Sequence, residues 1–152
     1  MSSPEARLAE LGISLPDAPT PVGSYVTFVR SGNLAFTSGH GPSGADGYVT
    51  GKVGADLDVA AGQAAARLTG LNLLATLRKE LGSLDRVTRV VKVLGMVNCG
   101  PDFGQHPAVI NGCSDLLVEI FGDAGRHARS AVGMGSLPMN MAVEIELVVE
   151  VS

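Results

Sequence analysis

The chain has no tryptophan and only two tyrosines and four phenylalanines. Bases stack on aromatic faces, so single-stranded nucleic acid is a poor partner for it. It has no run of basic residues, and its formal net charge is -4. Attraction to phosphate backbones or to an anionic membrane through a general field is therefore not expected. No stretch approaches about 18 uninterrupted apolar residues, so no membrane span is expected either. The opening residues, MSSPEARLAELG, lack a basic start followed by an apolar run, and no signal peptide is expected. There are two cysteines, Cys99 and Cys113, without metal or redox spacing. Two lone thiols suit a reducing compartment, so a cytoplasmic location is expected. His40, His106 and His127 stand far apart, with no short metal-ligand spacing, and each reads as a loop, cap or helix-end residue. No G-x-S-x-G elbow is present.

What the chain has is apolar material. With 152 residues, 45% of them hydrophobic and 17% charged, it can bury a core without disulfide or metal. We expect a single domain over residues 1–152. The surplus apolar surface could line an oligomer interface.

Ser3, Pro4 and Gly12 frame a short helix over residues 4–11, followed by a Pro-rich connector from Leu15 to Pro21. Tyr25–Arg30 and Asn33–Thr37 read as strands joined at Ser31-Gly32. A Gly-rich loop spans Ser38–Gly47, and Tyr48–Val53 reads as a short strand. Asp56 or Asp58 can cap a long helix that Gly82 ends. Leu57, Ala61, Ala64, Leu68, Leu71 and Ala75 are its expected apolar stripe. Val87–Val97 is β-branched and reads as a strand. Pro107 opens a second main helix that runs to Phe121 and stops at Gly122. Ala128–Met134 and Val143–Val151 read as strands flanking a turn at Leu137-Pro138. The order ββ(β)-α-β-α-ββ implies an α+β fold, one sheet with helices on one face. A second copy of the chain would cover the other face.

The last two strands carry the densest candidate chemistry. Arg129, Ala131 and Gly133 share one strand face, and Glu144 and Glu146 share another. A hairpin at Leu137-Pro138 would bring Arg129 close to Glu144. Such a pair is either a cross-strand ion pair or a ligand site. As a site, Arg129 could grip a carboxylate bidentately while Glu144 serves as a base, beside the small residues Ala131 and Gly133. Glu146 is a like charge that could raise the Glu144 pKa. The run Gly39-His40-Gly41-Pro42-Ser43-Gly44 matches G-x-G-x-x-G in form, but no helix follows at once, so dinucleotide binding is not expected. It is a ligand-facing loop or a flexible turn. Cys113 reads as a small core residue, and Tyr25 as a first-strand aromatic in the core. Asn111-Gly112 weakens a helix locally, to serve either a site or close packing.

In series, Pro21-x-Gly-x-Tyr25, Phe36-Thr-Ser-Gly39, Asp102-Phe103, Val109-Ile-Asn111, Arg129-Ser-Ala-Val132, Leu137-Pro138 and Val143-Glu-Ile-Glu146 resemble the reactive-intermediate deaminase family, RidA/YjgF, often labelled endoribonuclease L-PSP. The resemblance runs from about Pro21 to the end, with residues 1–20 an N-terminal extension and Ala45–Gly54 an added loop. It implies a chorismate-mutase-like fold with one mixed sheet and two main helices on one face. It implies a homotrimer with ligand sites between subunits, and no metal or organic cofactor. The implied activity is hydrolysis of small enamine and imine intermediates to 2-keto acids and ammonia, as by a 2-iminobutanoate/2-iminopropanoate deaminase. Arg129 and Glu144 would be catalytic. Tyr25, Ser38, Gly39, Asn111 and Ala131 would line the substrate cleft.

Two positions depart from the family pattern. Ala131 stands where deaminase members usually carry Cys, and Gly133 where an acidic residue is frequent. A carboxylate binder without turnover is the alternative on the same fold. The ribonuclease label fits poorly with an acidic chain that has few aromatics and no His pair.

Overall fold

The computed structural model describes residues 2–152. Ser3 caps α1 (Pro4–Glu10) by accepting from the Ala6 N–H. The helix is pinned to the body. The Glu5 carboxylate accepts from Arg78 at 2.6 and 3.1 Å and from the Leu84 N–H at 3.0 Å. Arg7 donates to the Glu119 carbonyl at 2.9 Å, and Leu8 enters the core.

The first hairpin pairs β1 (Phe28–Ser31) with β2 (Leu34–Thr37). A second, two-residue hairpin, β3 (Ser43–Gly44) with β4 (Gly47–Tyr48), lies inside the segment expected to be a plain loop. Beyond Tyr48 the expected strand is reduced to isolated bridges at Thr50 and Val53. The long helix α2 (Val59–Leu81) is capped by Asp58, which accepts from the Ala61 N–H, and closed by Gly82 at φ 85°. Asp56 instead accepts from the Lys52 N–H. There follow β5 (Val87–Asn98), α3 (His106–Phe121), β6 (Ala128–Met134) and β7 (Val143–Val151).

The main sheet runs β1-β2-β7-β5-β6. All its pairings are antiparallel except β5 with β6, which are parallel because α3 connects them. Residues 143, 145, 147, 149 and 151 of β7 are buried under the helices, together with Val93, Gly95 and Val97 of β5. The opposite face carries Val29, Phe36, Val148, Leu94, Met96 and Val132, of which Val29, Phe36 and Val132 are exposed.

The buried side of α2 matches the expected stripe only in part: Ala75 is buried, and Leu57 and Leu71 pack against the core. Ala64 is exposed, and Ala61, Leu68 and Leu71 are half-buried. Gly62, Ala65, Ala66, Thr69, Gly70, Leu73 and Leu77 are buried instead. The helix is apolar on several sides, and α3 selects the side with the smallest residues. A Cβ on Gly70 would lie 2.9 Å from Leu116, and one on Gly112 would overlap the Gln63 carbonyl. Gly112 therefore serves helix packing.

Candidate active site

Arg129 and Glu144 do not meet within one chain. The expected hairpin between β6 and β7 does not form, because β5 lies between them. Arg129 is in register with Val93, and Glu144 with Met96. Those two β5 residues differ in parity, so the arginine and the glutamate sit on opposite faces of the sheet. The cross-strand ion pair is ruled out for the same reason.

Each half is organised separately. On β6, Arg129 Nη1 donates to Asn111 Oδ1 at 2.8 Å and to Ser114 Oγ at 3.1 Å. Asn111 and Ser114 are three apart on α3, hence on one helix face. Ser114 Oγ also lies 2.9 Å from His127 Nε2, and His127 Nδ1 lies 2.6 Å from the Gly125 carbonyl. A carbonyl only accepts, so Nδ1 carries the proton and Nε2 accepts from Ser114. The chain of donors is then consistent from Arg129 to Gly125 with a neutral imidazole. Burial holds the His127 pKa below 6.5, against the Gly125 bond and with the help of the Arg129 charge. Arg129 pairs with no carboxylate among the described residues, and its Nε and Nη2 have no protein acceptor there. A planar two-donor fork therefore remains open. Ala131, two residues on, faces the same way and is half-buried against Gly95.

The other half lines a cavity of about 610 Å³ that includes Tyr25, Ser38, Gly39, His40, Met141 and Glu144. Ser38 Oγ donates to the Val26 carbonyl at 2.6 Å, fixing the loop entry. Gly39 lies so close under Glu144 that a Cβ there would overlap the carboxylate. Burial first, and the Glu146 charge second, raise the Glu144 pKa above 4.5. His40 closes the floor. Its Nδ1 donates to the Ser38 carbonyl and its Nε2 accepts from Thr76, both at 2.8 Å. Burial keeps its pKa below 6.5, opposed by the Ser38 bond. Tyr25 is not in the core. It is 47% exposed at the cavity mouth, and its Oη accepts from the Val22 N–H.

The structure thus groups Tyr25, Ser38, Gly39 and Glu144, and separately Arg129, Asn111 and Ala131. Sequence reasoning passed over Ser114 and gave His127 only a loop, cap or helix-end role. The three-residue step from Asn111 and the two-residue step to Arg129 were the available signals. It also assigned His40 no more than a loop role.

Residues 5–151 match the family model described as "YjgF/chorismate mutase-like, putative endoribonuclease". Protein TCP17 of Trypanosoma cruzi is 46% identical over 97% of this chain and 93% of its own length. A 2-iminobutanoate/2-iminopropanoate deaminase of Dermatophagoides farinae is 32% identical over 90% of this chain and 93% of its own. The crystal structure of a putative endoribonuclease from Shewanella oneidensis superposes with a TM-score of 0.94 at 35% identity, covering 99% of this chain and 100% of that one.

Proposed function

Because the chain belongs to the YjgF/chorismate mutase-like family, we propose that it hydrolyses small enamine and imine intermediates to 2-keto acids and ammonia, at a site completed between copies of the chain in a homotrimer. The observation that carries this reading is the open Nε–Nη2 fork of Arg129, held in place by Asn111 and Ser114 and unmatched by any carboxylate among the described residues. A fork left free in this way suits the carboxylate of a 2-imino acid. The base it needs, Glu144, lies on the other face of the sheet, so a neighbouring copy must supply it.

The chemistry then follows from the groups present. Arg129 fixes the substrate carboxylate. Glu144, made more basic by burial and Glu146, accepts a proton from water as the water oxygen bonds to the imine carbon. Nitrogen takes that proton to form the amino alcohol. In the collapse the hydroxyl proton passes through Glu144 to the nitrogen as the C–N bond breaks, so ammonia leaves and the keto acid remains. An enamine substrate first takes a proton on carbon to become the imine. Orientation supplies most of the gain, since the imine carbon is already electrophilic. Tyr25 and Ser38 shape the mouth of the cleft, and the absence of a side chain at Gly39 leaves Glu144 its position.

Imines generated by an amino-acid oxidase provide the assay, read as keto acid and ammonia. Arg129→Ala is expected to lose about 100-fold in kcat/KM, the worth of a charge-assisted anchor. Glu144→Ala should be equally impaired. Mixing the two under subunit exchange should restore roughly a quarter of parental activity, because one site in four draws both intact residues from different copies. No restoration would rule out the shared site, and a fully active Arg129→Ala would rule out the reaction.

A second reading is favoured by Ala131, which removes the thiol that deaminase members usually carry beside the arginine. It is a binder of small carboxylates without turnover. Saturable binding of 2-keto acids, lost in Arg129→Ala, with no turnover of any imine would decide for it.

A further inference from the structure

A second cavity, of about 550 Å³, is lined by Lys52, Cys99, Phe103, His106, Gly133 and Met134 among others. The imine chemistry above uses none of these side chains. Cys99 follows directly after β5, and its N–H donates to the Met134 carbonyl at 3.1 Å. His106 is the first residue of α3, with its ring edge-on to Phe103 at 5.2 Å between centroids. These two fixed positions place Cys99 Sγ 3.5 Å from His106 Nε2.

The pair depends on Gly133. A Cβ at that position would lie 2.8 Å from the thiol sulfur and 2.6 Å from the imidazole nitrogen. Any side chain at that position would crowd the pair. The glycine makes room for it and leaves it without a neighbouring carboxylate at that position. Lys52 supplies the third element. Its Nζ donates to Asn98 Oδ1 at 2.9 Å and to the Gly135 carbonyl at 2.5 Å, and it has no carboxylate partner among the described residues. An ammonium with only neutral partners at a cavity wall favours an anion. Both cysteines are buried, but Cys99, 5% exposed, borders this cavity. Cys113 is sealed between α2 and α3, and burial pushes its thiol up to about 12.

We propose that Cys99 and His106 form a nucleophilic thiol site, with Lys52 as the anchor, for a small carboxylate bearing an electrophilic carbon such as a 2,3-unsaturated acid. His106 accepts the thiol proton as Cys99 Sγ bonds to the terminal carbon of the alkene. The π pair moves to the carbon beside the carboxylate, which then takes that proton, so no oxidant or leaving group is needed. This site and the deaminase reading stand independently.

Paired alkylating reagents test it on the intact native chain, with the modified cysteine located by peptide mass spectrometry. Iodoacetate carries the charge that Lys52 should attract, and iodoacetamide does not. Cys99 should react at least about tenfold faster than Cys113, because it borders a cavity beside an imidazole and Cys113 does not. Normalised to a free small-molecule thiol, iodoacetate should be favoured over iodoacetamide by about tenfold at Cys99. Lys52→Met should abolish that preference while leaving the iodoacetamide rate in place. His106→Gln should slow both reagents in a chain with unchanged circular dichroism. Acrylate, the simplest acid of the proposed class, should form an adduct at Cys99. Equal rates at the two cysteines, no preference for the charged reagent, or no acrylate adduct would overturn the proposal.

Discussion

Burial and the neighbouring Glu146 raise the Glu144 pKa above 4.5, so the folded chain holds that proton more firmly than the unfolded one. The stability this contributes is present below 4.5 and is lost as pH rises through the folded value. At neutral pH the ionised Glu144 is therefore a cost to the fold. Glu144→Gln should melt at or above the parental temperature at pH 7.5 while losing imine turnover. A lower melting temperature would contradict the assignment. His40 and His127 work in the opposite sense. Their folded pKa values lie below 6.5, so as pH falls through 6.5 the unfolded chain takes up protons that the folded chain resists. Thermal melts should show stability declining from about pH 6.5 downward, and a flat profile between pH 7.5 and 5.5 would count against both environments. Single residues were partly legible from the sequence. Arg129 stood out by its small neighbours, whereas Ser114 is one serine among many until α3 is laid beside β6.

At the scale of elements, Gly112 separates a packing explanation from a catalytic one. Its Cβ would meet the backbone carbonyl of Gln63, which cannot rotate away as a side-chain end could. Gly112→Ala should lower stability by about 1–3 kcal/mol, the usual range for overpacking, measured by urea unfolding. An unchanged midpoint would mean that α2 and α3 separate at little cost. The strands themselves were legible because β-branched runs and period-two alternation mark them directly. Their neighbours were not, since alternation reports which way a side chain faces and not which strand lies beside it. The strand–helix–strand run β5-α3-β6 held the missing information. A helix crossover makes its two strands parallel, and that pairing displaces β7 to the far side of β5. The hairpin at Leu137-Pro138 was inferred from sequence adjacency alone. The α2 stripe was partly misplaced for a related reason. A helix rich in alanine and leucine has more than one plausible inner side, and only its partner decides.

For the whole molecule, the sheet face opposite the helices is the feature still without a partner. Phe36 is 42% exposed, Val29 52% and Val132 38%, and in register they fall on the same side as Glu144. Apolar surface of this kind marks an association face. Val132→Asp should shift the sedimentation coefficient toward that of a single chain, and imine turnover should fall with it. A variant that remains assembled and active would place the interface elsewhere. The separation of Arg129 from Glu144 by both a strand and a face has a kinetic meaning. When each copy owns half a site, the number of working sites falls faster than the number of chains as the solution is diluted. If the site is shared as proposed, specific activity becomes a reading of the association constant, and the amount of protein present sets the threshold for turnover.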